Sequence, residues 1–341
     1  MKLQDLTPPN VPVFQGSNPN LNFTRSQSEF EDVNVFFHLT NFYAYTQQLG
    51  YGNIPAQQIK VDPHGASGND QSFYIPSTKE LNFGEGGVDD GEDADVIIHE
   101  WTHAMVDAAA SPGNRSIERS TLEEALADYF AYSYTKALVP NQTDRIFNWD
   151  GHNFFWPGRD ARSLKDYTQI QFNQSIYQHT DLMVSCLAEI ESNLGPQVAD
   201  ELVLESLFGL KGNTSFADFA YEMLAADSAL NGAQNRQVIV EAFIRRSVLP
   251  ASINLPERSA EPEIYLSQSG AKGLRTKATL HSSAKLEKVT LRSMDGKVLR
   301  SIPGLQRSRI TIDLDQLPQG LYLVEVRTGK GSTRIFKALR P

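Results

Sequence analysis

The sequence predicts an α+β protein, with a mixed and then largely helical unit over residues 1–254 and a small all-β unit over residues 265–341. Two patterns predict this division. From about residue 120 to 248 the apolar residues recur with a mostly helical period, whereas the C-terminal residues alternate apolar and polar side chains, as strands do. The Pro- and Glu-rich segment LPERSAEPEI, residues 255–264, is interpreted as the linker between the two units.

The larger unit is expected to have two lobes, at about residues 1–118 and 119–254. In the first, DVNVFFHLTNFYAYTQQLGYG has the apolar stripe of a helix, and QIKVDPH, QSFYIPS and ELNFGEGG indicate short strands. In the second, helical patterns are interrupted by the aromatic loop NWDGHNFFWPGRD. The first lobe is therefore predicted to be mixed and the second to be helical.

The C-terminal unit has turn signals between its alternating runs, namely Asp295-Gly296, Pro303-Gly304 and Pro318-Gln319-Gly320. Short strands at this spacing are typical of a β-sandwich, here of about 75 residues.

The net charge of −10 conceals opposite charges in the two units. Residues 262–341 contain 15 Lys/Arg and 6 Asp/Glu, a charge of +9, whereas the preceding residues contain 16 and 35, a charge of −19. That negative charge argues against nucleic acid as a partner. No apolar run of about 18 residues predicts a membrane span, and the start, MKLQDLTPPN, shows no apolar core of a signal peptide.

The segment DADVIIHEWTHAMVD, residues 93–107, predicts a metal-binding helix. His99 and His103 lie four residues apart and so share one helix face, from which two imidazoles can bind one zinc ion. Glu100 follows the first histidine and can take a proton from metal-bound water. The flanking residues are apolar, so the helix should be buried, and buried polar groups need a partner. The alternative is a surface or core helix with incidental histidines, which would leave these polar groups without a partner.

A catalytic zinc needs a third protein ligand and an open position for water. In STLEEALADYF, Glu124 and Asp128 are i and i+4 on the next predicted helix, so both can face one side. Glu124 is predicted to be the ligand, and Asp128 to accept a hydrogen bond from the free N–H of a zinc-bound histidine. Glu123 is the competing ligand, and Glu124 is preferred because only it has an aspartate four residues on.

These motifs resemble a known family. HEWTH followed by EEALADYF resembles the thermolysin-like gluzincins, and GEDADVIIHEWTHAM is most similar to the fungalysin branch and its bacterial relatives. The resemblance covers about residues 30–250. It implies a thermolysin-like two-lobed zincin domain that hydrolyses peptide bonds through a zinc-activated water.

Two further segments extend the resemblance towards substrate binding. NDQSFY before the FGEGG turn resembles the family's substrate-binding edge strand, which implies that Gln71 and Ser72 bind the substrate backbone as an added strand. DARSLKDY resembles the segment whose arginine binds the substrate carbonyl, which implies that role for Arg162.

The family also uses a histidine that donates to the oxyanion formed during hydrolysis. In SIYQHTDLMVSCLAEI, a thermolysin-like alignment places His179 near that position, whereas a fungalysin-like alignment places Tyr177 there. His179 is preferred as a catalytic residue and Tyr177 is the alternative, since a phenol could donate as well.

The family's double calcium site is incomplete in this sequence. Asp95 is in place, but Thr135 stands where an acidic residue is expected. The acidic segment GVDDGEDAD could still bind Ca²⁺, although a solvated acidic loop is the preferred interpretation.

The last segment, VTLRSMDGKVLRSIPGLQRSRITIDLDQLPQGLYLVEVRTGKGSTRIFKALRP, resembles the C-terminal sorting domain of type IX secretion in Gram-negative bacteria. It implies an address read by the secretion machinery, and thus a secreted or cell-surface protein. The alternative, a carbohydrate-binding or accessory sandwich, is less favoured because the aromatic residues suited to it are few: Tyr265, Tyr322 and Phe336.

Two functions follow as hypotheses. The first is a secreted zinc endopeptidase that acts on protein or peptide substrates, with one catalytic Zn²⁺ on His99, His103 and Glu124 and with Glu100 as the general base. The second is a zinc-binding surface or adhesion protein that has lost turnover, which only the unsettled oxyanion donor favours.

Overall fold

The computed structural model describes residues 1–16, 21–110, 114–139, 144–173, 175–251, 253, 264–269, 277–282, 285–293, 296–303, 309–328 and 333–340. Their contacts divide the chain into two compact units, Met1–Phe219 with Ala242–Leu249, and Ala220–Glu241 with Pro250–Pro341. Nearly all of the predicted linker, residues 255–263, lies outside the described residues. No helix among the described residues has both the length and the apolar character needed to cross a bilayer.

Helices and strands are mixed in the first 250 residues, and the described residues after them form strands without helices, in agreement with the predicted α+β class. The helices are α1 (Glu29–Gln48), α2 (Ala94–Ala109), α3 (Ile117–Leu138), α4 (Thr180–Leu194), α5 (Pro196–Ser206), α6 (Phe216–Asn231) and α7 (Arg236–Ile244). The early strands are β1 (Lys2–Leu3), β2 (Lys60–Asp62), β3 (Phe73–Ile75), β4 (Glu80–Asn82), β5 (Arg145–Ile146) and β6 (Arg159–Asp160).

Helices α2 and α3 are buried on nearly every side. The Asp93 carboxylate caps α2 by accepting a hydrogen bond from the Asp95 amide at 2.7 Å, and the Ser116 hydroxyl caps α3 by accepting one from the Arg119 amide at 3.1 Å. Twelve residues of α2 are buried, including the ionisable residues Asp95, His99, Glu100 and Asp107. A helix buried all round can place ionisable side chains in the protein interior, provided that neighbouring elements supply partners.

A four-stranded sheet in the order β1-β2-β4-β3 lies in the same unit, with β3 antiparallel at its edge. The turn after β4 packs against the residues before β3. A Cβ on Gly84 would lie 2.1 Å from the Asn69 carbonyl oxygen, and one on Gly86 would lie 2.4 Å from the Asp70 amide nitrogen. The two glycines therefore allow the backbone approach that fixes the start of the edge strand.

A buried carboxylate joins three helices. Asp200 in α5 accepts hydrogen bonds from Tyr45 of α1 at 2.7 Å and from Tyr129 and Ser133 of α3 at 2.7 and 3.0 Å. Burial raises the pKa of Asp200 to about 6, even though these hydroxyls favour its ionised form. The three donors replace the water that the carboxylate loses on folding.

The C-terminal unit contains two antiparallel sheets, in the orders β10-β9-β12-β13 and β11-β8-β7. The strands are β7 (Ile264–Ser269), β8 (Lys277–Ser282), β9 (Leu286–Ser293), β10 (Val298–Pro303), β11 (Arg309–Asp313), β12 (Gly320–Thr328) and β13 (Thr333–Arg340). Inward-facing residues from both sheets share one apolar core: Ala278, Leu280, Val289, Leu291, Ile310, Ile312, Val324, Val326 and Ala338. This is the sandwich arrangement that the period-two pattern predicts.

Replacing Tyr129 by Phe should destabilise the first unit. The substitution removes one donor from the buried Asp200 carboxylate, and we expect it to lower the free energy of unfolding by about 1–3 kcal/mol. Urea unfolding checks this, with Tyr221→Phe as the matched control, because the Tyr221 side chain is 48% exposed. Equal stabilities of the two variants would contradict the prediction.

Candidate metal centre

His99, His103 and Glu124 converge where α2 lies against α3. The two Nε2 atoms of the histidines are 3.3 Å apart. Glu124 places Oε2 at 3.3 Å from His99 Nε2 and Oε1 at 3.7 Å from His103 Nε2. His99 and Glu124 are 5% and 8% exposed, so the three groups meet in a nearly closed space.

These spacings fit a tetrahedral metal site. Ligands at about 2.0–2.1 Å from a zinc ion at the centre of a tetrahedron are about 3.3–3.4 Å from one another. The Glu124 Oε2 atom is buried and accepts no hydrogen bond from the described residues, which is costly unless another group binds it. Two imidazole nitrogens and one carboxylate form a donor set that suits zinc.

Asp128 lies behind His99. Its Oδ1 atom is 2.9 Å from His99 Nδ1, on the side of the ring away from Glu124. Asp128 is fully buried, and Arg159 donates to the same oxygen at 2.5 Å. Burial would raise the pKa of Asp128, but Arg159 and His99 lower it, so the carboxyl group is held ionised.

Glu123, which the sequence offers as the competing ligand, contacts His103 at Nδ1, on the side of the ring away from Glu124. Its Oε1 atom is 3.2 Å from His103 Nδ1, while Arg115 and Arg119 donate to its Oε2 atom. Burial acts to raise its pKa, but the hydrogen bond with His103 and the two arginines lower it to about 2. Each histidine thus has a carboxylate at Nδ1, which leaves both Nε2 atoms directed towards Glu124.

Glu100 is 7% exposed, and a carboxylate oxygen of it lies within 4.8 Å of ring nitrogens of both histidines. Burial raises the pKa of Glu100, although the charges of His103 and His99 act to lower it. A raised pKa is what a carboxylate needs in order to hold a proton near neutral pH.

The structure does not bring Arg162 to this site. The Arg162 side chain is 81% exposed and pairs with Asp144. Arg159, three residues earlier, is only 18% exposed and lies 4.0 Å from Glu124 in addition to its contact with Asp128. Sequence reasoning missed Arg159 because the resemblance rested on DARSLKDY. The signal that could have found it is Asp128, because a buried carboxylate beside a neutral histidine still needs a basic partner.

Tyr177 and His179 have different surroundings. The Arg159 guanidinium lies over the Tyr177 ring at 4.7 Å, and the charge of Glu124 is the main cause that raises the pKa of Tyr177. His179, at the start of α4, meets the Phe172 ring edge-on at 5.8 Å, and its Nδ1 atom is buried without a hydrogen bond from the described residues. The structure therefore groups Tyr177, and not His179, with the residues around Glu124.

Gln71 and Ser72 immediately precede the edge strand β3. The Ser72 hydroxyl donates to Asp90 at 2.5 Å and accepts from the Gly84 amide at 3.3 Å, so it supports the turn after β4. Gln71 is exposed. The edge position leaves the outer side of β3 without a strand neighbour among the described residues, which is the geometry that strand addition uses.

Asp95 and Thr135, the two positions compared with the calcium site of the thermolysin-like gluzincins, are joined by a hydrogen bond. Asp95 Oδ1 accepts from the Thr135 hydroxyl at 2.6 Å, and Oδ2 accepts from the Phe147 amide at 2.8 Å. Because donors within the chain serve both oxygens, Asp95 and Thr135 form a structural pair, and the missing acid at residue 135 is explained.

Comparison with known proteins gives a distant structural match over most of the chain. No curated protein matches the sequence. Among 24 matching solved chains is the catalytic module of the metalloprotease ZmpA from Clostridium perfringens, at 9% identity and a TM-score of 0.29. The match covers 91% of this chain and 62% of that module, so this chain spans less than two thirds of its length. A likeness at this TM-score supports no statement about the site.

The C-terminal unit gives a definite result. Residues 275–337 match the secretion system C-terminal sorting domain, which confirms the type IX sorting domain expected from the sequence. Such a domain implies an interaction with the secretion machinery. The chain is therefore a secreted or cell-surface protein that ends in a C-terminal sorting domain.

Proposed function

We propose that this protein is a secreted zinc-dependent endopeptidase with a thermolysin-like catalytic unit. The observation that carries the proposal is the convergence of His99 Nε2, His103 Nε2 and the Glu124 carboxylate at 3.3–3.7 Å from one another. With three protein ligands, a tetrahedral ion keeps one position open, which is the arrangement of catalytic rather than structural zinc sites. The sorting domain supplies the route to extracellular protein substrates.

Glu100 is the general base of the proposed reaction. A zinc ion held by the three ligands would polarise a water molecule and lower its pKa towards neutrality. Glu100 is buried beside both histidines and can take the proton of that water as it attacks the peptide carbonyl. From its position beside the centre, Glu100 can then pass the proton on to the leaving amine.

Arg159 and Tyr177 bind the reacting carbonyl in this proposal. Asp128 fixes the guanidinium of Arg159 on one side, and the Tyr177 ring covers its face at 4.7 Å. The remaining guanidinium N–H groups and the phenol can donate to an oxygen that gains negative charge. Because these donors are positioned before substrate arrives, they lose little entropy in the reaction.

The edge strand β3 is proposed to bind the substrate backbone by strand addition, with Gln71 and Ser72 at its start. Substrates would then be extended peptides, and their backbone hydrogen bonds would carry little sequence preference.

Replacing Glu100 by Gln should abolish hydrolysis and keep the metal. Glutamine has nearly the same shape but cannot accept the proton, so we expect kcat/KM on casein to fall by about 10²–10⁴-fold with unchanged zinc content. Zinc content is measured by mass spectrometry on the purified full chain. A wild-type protein that holds stoichiometric zinc but cleaves no peptide would refute the protease and leave the adhesion hypothesis.

The two adjacent glutamates should differ in their effect on zinc binding. Glu124→Gln removes a proposed ligand and should empty the site under dialysis. Glu123→Gln removes only the partner of His103 Nδ1 and should weaken affinity by about 10–100-fold. Zinc titration of both variants measures this. If Glu123→Gln loses zinc and Glu124→Gln retains it, the ligand assignment is reversed.

The oxyanion donor can be identified by a second matched pair. We expect Tyr177→Phe to lower kcat by about 10²–10³-fold with little change in KM, because one donor to the developing charge is lost. His179→Gln should change kcat by less than about threefold, since His179 contacts Phe172 rather than the site. The opposite ranking would restore His179 as the donor.

A further inference from the structure

A second buried histidine, His64, has carboxylates on both sides of its ring. It follows β2, is 1% exposed, and places Nδ1 at 2.6 Å from Glu85 Oε1 and 3.0 Å from Glu31 Oε2. Its Nε2 atom is 3.5 Å from Asp32 Oδ1. Glu31 and Asp32 belong to the first turn of α1, and Glu85 to the turn after β4, so three separate segments meet at this ring. None of these residues belongs to the His99 centre.

Even a protonated ring, with one N–H at each nitrogen, cannot serve all three carboxylates here. Nδ1 carries at most one proton, and it can point well at only one of the two glutamates. Glu31 is only 5% exposed, and its Oε2 atom is buried and accepts no hydrogen bond from the described residues. Asp32 Oδ1 and His64 Nε2 are also buried; they face each other at 3.5 Å but form no hydrogen bond in the part of the chain that the structure describes. Buried polar atoms left without partners are costly, so a binding partner is expected here.

The formal charges point to a cation. The carboxylates of Asp89 and Glu92 also lie within 4.8 Å of that of Glu31, which brings the number of acidic groups to five with Asp32 and Glu85. Against them stand His64, if protonated, and Arg25, which binds Glu92 at 2.6 Å and is itself 55% exposed. A formal charge of about −3 therefore lies around a buried centre, and such charge is expensive unless it is compensated.

We propose that Glu31, His64 and Glu85 bind a second divalent cation, with His64 Nδ1 and one oxygen of each glutamate as ligands. One imidazole and two carboxylates suit zinc or manganese, whereas calcium takes six to eight oxygen ligands. Binding at Nδ1 leaves the ring proton on Nε2, which faces Asp32 Oδ1 as its acceptor. The site thus supplies a partner for all three unsatisfied atoms.

This cation would have a structural role. It joins the start of α1 to the turn after β4, and that turn supports the residues before the edge strand β3 through Gly84 and Gly86. The site does not depend on the proposed peptidase function, since neither Glu100 nor Glu124 takes part in it.

Metal counting on the full chain tests the proposal. The protein is stripped with chelator, dialysed against zinc, manganese or calcium, and its metal content is measured by mass spectrometry. We expect two zinc or manganese ions per chain in the wild type, one in His64→Gln and in Glu85→Gln, and one in Glu124→Gln. Glu80→Gln is the matched control, since Glu80 pairs with Lys60 at the surface and should retain both ions.

A second measurement guards against misfolded variants and separates this site from the His99 centre. In the Glu124→Gln background, zinc or manganese should raise the melting temperature, and adding Glu85→Gln should remove that rise. A single ion per chain that Glu124→Gln abolishes and His64→Gln leaves in place overturns the proposal. Two zinc or manganese ions retained in His64→Gln overturn it as well, because His64 would then not be a ligand.

Discussion

The burial of charge between α2 and α3 is the constraint on which the first unit depends. His99, Glu100, Glu124 and Asp128 are all 8% exposed or less, and none of them could remain there without a partner. Asp128 contacts both His99 and Arg159. Arg159 lies in β6, so the chain that follows α3 returns to this interface and brings the arginine to Asp128. The arrangement of the site and the path of the chain around it thus both compensate the charges buried between α2 and α3.

Helical spacing made part of the site predictable. His99 with His103, and Glu124 with Asp128, are pairs at i and i+4, and the structure brings all four together. The sandwich was predictable for a similar reason, because the alternation along β11 and β12 appears directly as alternating burial. In both cases the information is local: one helix face or one strand face specifies the arrangement.

Groups that reach a site from distant segments left no such pattern. Arg159 lies in a two-residue strand, and Tyr177 lies in a turn before α4, so no period connects either of them to α2. Glu31 and Glu85 likewise reach His64 from segments 33 and 21 residues away. His64 and His99 nevertheless have similar surroundings, since each has an aspartate at one ring nitrogen and a glutamate at the other. Three-dimensional contacts, rather than spacing, reveal that similarity.

The hydrogen bond between Thr135 and Asp95 helps to fix the loop that carries Phe147 beside the candidate metal centre. Asp95 also holds the Phe147 amide, and the Phe147 ring lies against His99 at 5.6 Å. The Thr135 hydroxyl and the Phe147 amide, both parts of the chain, therefore hold this loop beside the centre. If a bound ion held the loop instead, the order of the loop would depend on the concentration of that ion in the medium. At Asp95 the loop is thus fixed by hydrogen bonds within the protein, whose number does not vary with the calcium concentration of the medium.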